Sequence, residues 1–121
     1  MWNKYRARKT TIDNITFDSK KEAMRYVFLR DSQKRGDISH LQMQVKYVLI
    51  PAQYECDRTG RFAGKIRGRL LEREVSYRAD FVYIDGNGRE VVEDVKGMRT
   101  PEYRIKRKLM LFIHGIRITE V

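Results

Sequence analysis

The stretch "YRADFVYIDGNGREVVEDVKG", Tyr77–Gly97, decides how this chain is read. Apolar residues on both sides of "DGNG" describe two strands joined by a tight turn. Loop length settles which side chains meet, because a one-residue slip sends every side chain to the opposite face. A two-residue loop would set Asp80 against Glu93, whereas a three-residue loop over Gly86, Asn87 and Gly88 sets it against Asp94. Gly-Asn suits a type I turn, and Gly88 can take the left-handed position of the bulge that follows, which favours the second register. Asp80 and Asp94 then face each other with β-carbons about 4.5–5.5 Å apart. Lys96 lies two positions beyond Asp94 and shares its face, while Glu93 points to the other.

Charges inside half-buried strands carry a desolvation cost and call for a partner, a metal or a chemical task. Two carboxylates that close repel each other unless a cation lies between them. Oxygen donors of this kind suit Mg²⁺ or Mn²⁺, which take one or two carboxylates together with waters and substrate phosphate oxygens. Lys96 cannot bind that metal, but it can orient or deprotonate a water, or neutralise charge on a phosphate. The set is equipped for metal-assisted attack of water on a phosphodiester. A structural salt bridge between Lys96 and either aspartate accounts for the same residues equally well.

Outward from the hairpin, "SKKEAMRYVFLRDSQKRG" predicts a first helix from an N-cap at Ser19 to Gly36 just past its end. "LQMQVKYVLIP" alternates like a strand and stops at Pro51, and residues 52–65 read as a loop or a turn between strands. One long strand region covers 66–84, with "EREVSYR" as an exposed or bulged part. The next strand spans 89–96. Thr100 and Pro101 open a second helix over "PEYRIKRKLMLFI", with Ile105, Leu109 and Phe112 as its core stripe and Arg104, Lys106, Arg107 and Lys108 on its other side. "IRITEV" supplies a last short strand. The order predicts an α/β domain, one sheet with helices on its faces.

At 121 residues the chain is long enough for one domain, 1–121, with residues 1–16 as a basic N-terminal arm. Apolar residues make up 41%, ordinary for a globular chain. Twenty-six Lys and Arg against sixteen Asp and Glu leave a net charge of +10, which predicts attraction to a polyanion, nucleic acid foremost. In the arm, Lys4, Arg6, Arg8 and Lys9 are candidate phosphate contacts, or else a solubilising tail. A single Cys56 excludes an internal disulfide and a cysteine-rich zinc site, making a reducing cytoplasm the expected compartment. The start "MWNKYRARKTT" has no apolar core of a signal peptide, and no run reaches the length of a membrane span, so no membrane partner is expected. Aromatics are not interleaved with basic residues as in a stacking platform, and no helix-turn-helix or zinc-finger pattern appears.

"YRADF" followed fourteen residues later by "EDVKG" resembles the PD-(D/E)XK nuclease superfamily, whose signature is an aspartate on one strand and a D/E-x-K triplet on the next. "FDSKKEAMRY", "GDISHLQMQVKYVL", "VVEDVKG" and "TPEYRIKRKL" extend the likeness to small phage and prophage members related to archaeal-type Holliday-junction resolvases, from about residue 14 to residue 112. The resemblance implies a restriction-endonuclease-like core, one mixed sheet flanked by helices in the order α-β-β-β-α-β. It implies Asp80 as a metal ligand, Asp94 and Lys96 as the triplet's acid and lysine, Glu22 as a further acid at the metal, and the Val95 carbonyl as another ligand. Tyr103 and Lys106 fall where the family places phosphate contacts. Two departures stand out: Ala79 replaces the proline, and the doublet Glu93-Asp94 offers two acids where one is needed.

Glu22 also completes a capping box with Ser19, so its carboxylate has a structural alternative. Tyr103 has one too, packing at its helix's core edge, and Arg104, Lys106 and Lys108 equally suit a solvated basic face. Gln44 reads first as an ordinary strand residue, although the site lies within its reach. The expected function is a Mg²⁺- or Mn²⁺-dependent DNA endonuclease, phage-encoded and acting in the host cytoplasm on branched or recombination DNA. Two symmetric cuts in a four-way junction would further require a homodimer. The alternative is a non-catalytic DNA-binding module.

Overall fold

A computed structural model describes residues 9–56, 67–95 and 99–121. Along the chain run β1 (Thr10–Ile12), β2 (Ile15–Phe17), α1 (Lys20–Arg35), β3 (Ser39–Ile50), β4 (Gln53–Cys56), β5 (Arg67–Glu72), β6 (Val75–Ile84), β7 (Glu90–Asp94), α2 (Pro101–His114) and β8 (Thr119–Glu120). Strands β3, β6, β7 and β8 form a four-stranded sheet in that order. The first two pairings are antiparallel and β7–β8 is parallel, so the sheet is mixed. A parallel pair needs a crossover, and α2 provides it.

Both helices end where their capping residues dictate. The Ser19 hydroxyl accepts the Glu22 N–H at 3.1 Å, and Gly36 closes α1 in the left-handed region. Thr100 accepts the Tyr103 N–H at 3.1 Å and Pro101 opens α2. Helix α1 covers one sheet face, over a cluster of Phe17, Ala23, Tyr26, Leu29, Phe81 and Tyr83. Helix α2 covers the other, where Tyr103 and Met110 join Leu49, Tyr77, Ala79, Val82, Val92 and Ile118.

The β6–β7 hairpin adopts the three-residue loop. The Asp85 N–H reaches the Arg89 carbonyl at 2.8 Å, and Gly88 sits at φ 77. The Asp85 carboxylate accepts the N–H groups of Asn87 at 2.9 Å and Arg89 at 3.0 Å, fixing the turn. Register runs Ile84↔Glu90, Tyr83↔Val91, Val82↔Val92 and Phe81↔Glu93, which brings Asp80 level with Asp94.

Strands β3 and β6 change faces midway. Leu41 and Met43 pack into the α1-side cluster, yet Val45, Tyr47 and Leu49 pack on the α2 side. On β6, Tyr77 and Ala79 belong to the α2 side, Phe81 and Tyr83 to the α1 side. Residues two apart should share a face, so the paired strands twist over together. The turnover falls at Gln44, which is left-handed at φ 54, and at Asp80 opposite it.

Several elements differ from expectation. Within the expected basic arm at 1–16, the described residues from Thr10 on form a hairpin that runs to Phe17, turned by Asp13 and Asn14 at φ 53 and 62, the conformation a two-residue type I′ turn demands. Lys4, Arg6 and Arg8 lie outside the described residues. The long strand at 66–84 is two strands in different sheets, broken at Arg73–Glu74, and Gln53–Cys56 pairs with the first of them. The core stripe of α2 is partly rotated: Leu109 packs against the core as expected, but Ile105 and Phe112 are 60% and 87% exposed, and Tyr103 and Met110 are buried instead. The helix carries apolar residues on both rows. Its rotation is set by the Tyr103 ring against Tyr77 and by Arg107 paired with Glu120 at 3.2 Å. No described helix is long and apolar enough to cross a membrane.

Candidate active site

Asp80 and Asp94 line one open cleft of about 280 Å³ between the sheet and the start of α2, together with Tyr77, Arg78, Thr100, Glu102, Tyr103 and Lys106. Each aspartate is held by groups the fold supplies. Asp80 accepts the Val95 N–H at 2.8 Å through Oδ2 and the Gln44 side-chain amide at 3.3 Å through Oδ1. Asp94 is buried, and its Oδ2 accepts the Tyr77 hydroxyl.

Glu22 approaches from α1. Its backbone N–H serves the helix cap, but its Oε1 accepts the Gln44 amide at 3.1 Å, so the carboxylate is turned toward the sheet. Gln44 therefore spans Glu22 and Asp80. Burial pushes the Glu22 carboxyl up to about 7, helped by the charges of Asp80, Asp18 and Asp94 and opposed by the Gln44 hydrogen bond. Crowded acids that raise one another's pKa are found at cation sites and at functional acids. Burial, then the hydrogen bond to Asp94, holds the Tyr77 hydroxyl firmly protonated as a donor.

The acidic doublet divides as the register requires. Glu93 faces the α1 side, where Arg25 grips it with two hydrogen bonds of 2.8 and 2.7 Å and the Tyr83 hydroxyl donates to Oε2. Burial and that bond push Tyr83 up to about 12. Glu93 is thus committed to structure, and Asp94 faces the cleft.

The remaining candidates are less uniform. Lys96 lies outside the described residues, and Val95 is placed by its N–H on Asp80. Lys106 lines the cleft and pairs with Glu102 at 3.1 Å. Tyr103 is buried in the α2-side core and forms a cleft wall, which leaves little of it for surface phosphate. Lys9, Arg104 and Lys108 are exposed, and Lys108 lines a second pocket with Arg107 and Arg117. Sequence reasoning missed Tyr77 and Arg78 and undervalued Gln44. A hydroxyl-bearing aromatic three residues before Asp80 was the available hint for Tyr77; Gln44 gave none.

Among the described residues no three His, Cys, Asp or Glu side chains are gathered as a ready metal cage. Mg²⁺ does not demand one, since it is commonly held by one or two carboxylates with waters and substrate oxygens. The hard oxygen donors of Asp80 and Asp94, with Glu22 tied in through Gln44, fit that pattern. A family model described as "Protein of unknown function (DUF1064)" matches residues 2–117. No curated protein and no solved structure matches the chain.

Proposed function

The chain belongs to the DUF1064 family, and we propose that it is a DNA endonuclease using Mg²⁺ or Mn²⁺ on a PD-(D/E)XK-type core made of α1, β3, β6, β7, α2 and β8. One observation carries this: two strands bring Asp80 and Asp94 into the same cleft, with a third acid, Glu22, joined to Asp80 through one amide. Asp80 and Asp94 would hold the ion, with Glu22 and the Val95 carbonyl completing the protein's share. Such an ion supplies Lewis acidity at a phosphate oxygen and lowers the pKa of a bound water.

The chain's own residues do the rest. Tyr77 fixes one oxygen of Asp94 and so directs the other. Lys96, two positions after Asp94 in sequence, orients the attacking water or neutralises the phosphate. Arg78 and Lys106 at the cleft hold the flanking backbone, and Lys9, Arg104 and Lys108 extend that contact over the surface. Branched DNA is the favoured substrate, and a four-way junction would bring two copies together for its paired cuts.

The test incubates the protein with supercoiled plasmid and with a synthetic four-way junction in Mg²⁺, Mn²⁺ or EDTA. Metal-dependent cleavage is expected, reduced about 100-fold or more in Asp80→Asn, Asp94→Asn and Lys96→Ala. Salt-sensitive binding with no metal-dependent cleavage of either substrate would refute the nuclease and leave a binding module. Equal cleavage of both substrates would remove the preference for branched DNA.

A further inference from the structure

Gln44 is an exposed strand residue with a backbone few glutamines adopt. Its φ of 54 lies in the left-handed region, entered readily by Gly and sometimes by Asn or Asp. Pairing on both sides is intact, Met43 with Phe81 and Val45 with Ala79, so no extra residue is being accommodated there. Strain of this kind persists where surrounding structure holds it, and it gathers at functional sites. Here it has a visible consequence, because the side chain of a strand residue reaches acids on two other elements. Gln44 Nε2 lies 3.1 Å from Glu22 Oε1 on α1 and 3.3 Å from Asp80 Oδ1 on β6.

We propose that Gln44 is a positioning residue that sets the spacing between Glu22 and Asp80 so that both can serve one divalent cation. This rests on the metal-dependent function proposed above and adds a residue to it. An amide suits the task chemically. Its NH₂ carries two donors and no net charge, so it can bridge two carboxylates without displacing a cation. A Lys or Arg at this position would neutralise the acids and compete with the metal, and a Glu would add a further like charge. The amide meets Glu22 Oε1 and Asp80 Oδ1 only, and Asp80 Oδ2 accepts the Val95 N–H at 2.8 Å.

The side chain and the backbone can be separated by substitution. Gln44→Met keeps the length but removes the donors, and Gln44→Gly removes the side chain while easing the left-handed backbone. Mn²⁺ binding is read directly, by calorimetry or by the electron paramagnetic resonance of the free ion, alongside thermal unfolding in EDTA. Groups that orient metal ligands change affinity about 10–100-fold. Both variants should lose Mn²⁺ affinity within that range, and Gln44→Gly should do so without a lower melting temperature. In cleavage assays, excess metal should restore the rate of Gln44→Met, as expected for loss of binding and not of chemistry. Wild-type affinity in either folded variant overturns the positioning role while leaving the metal site standing. Failure of the wild-type protein to bind Mn²⁺ overturns both. A loss in Gln44→Met that Gln44→Gly does not share would assign the effect to the backbone and also overturn the proposal.

Discussion

Replacing Glu22 by Gln should stabilise the protein at alkaline pH and do little in acid. The folded carboxyl titrates near 7 instead of 4.5, raised first by burial and then by neighbouring acids. Below 4.5 the group is protonated in both folded and unfolded chains and carries no penalty. Between 4.5 and about 7 the unfolded chain gives up its proton while the folded chain keeps it, so stability falls as pH rises. Above about 7 the full cost is present. A pKa unit corresponds to about 1.4 kcal/mol, and water in the adjoining cleft screens part of it, leaving about 2–3 kcal/mol. For a chain of this size each kcal/mol moves the melting temperature by about 3–5 °C. Glu22→Gln keeps an oxygen that can accept from Gln44, so the hydrogen bond survives. Melting followed by circular dichroism in EDTA should place the variant about 6–15 °C above wild type at pH 8.5, and within about 4 °C at pH 5. Mg²⁺ in the cleft would neutralise the acids and favour ionised Glu22, so saturating Mg²⁺ should shrink the alkaline gap. A difference independent of pH would refute the electrostatic account, and one confined to acid would reverse its sign.

Two further substitutions test the packing around the site by chemical or thermal denaturation. Arg25→Met should cost about 3–5 kcal/mol, because it leaves the buried Glu93 without its guanidinium; a loss near zero would show that Tyr83 alone satisfies the acid. Met110→Ala should cost about 2–5 kcal/mol, whereas Phe112→Ser, on the exposed row of the same helix, should stay within about 0.5 kcal/mol; the opposite ranking would mean that α2 docks through its other row.

What the sequence made legible was local, and what it hid was collective. The "DGNG" turn carries its own register, because Gly88 can take a positive φ and the Asp85 side chain can lock the turn, so the meeting of Asp80 with Asp94 follows from a few adjacent residues. The helix ends are similar, fixed by Ser19, Thr100, Pro101 and the glycines beyond. The face switch is different. From Leu41 to Tyr47 the apolar residues keep an unbroken alternation, and a strand that turns over at Gln44 has the same pattern as one that runs straight. The turnover shows only in the packing, where Met43 and Val45 on one strand, and Phe81 and Ala79 opposite them, separate onto two faces. The rotation of α2 was hidden for a related reason: both of its rows are apolar enough to bury, and contacts with Tyr77 and Glu120, distant in sequence, choose between them. These non-local choices shape the cleft. Without the turnover, Tyr77 and Asp80 would not converge on one cavity with Asp94, and Gln44 would have no route to two acids. The local motif therefore names the two facing acids, while a left-handed position in the neighbouring strand links a third, Glu22, to one of them through a single side chain.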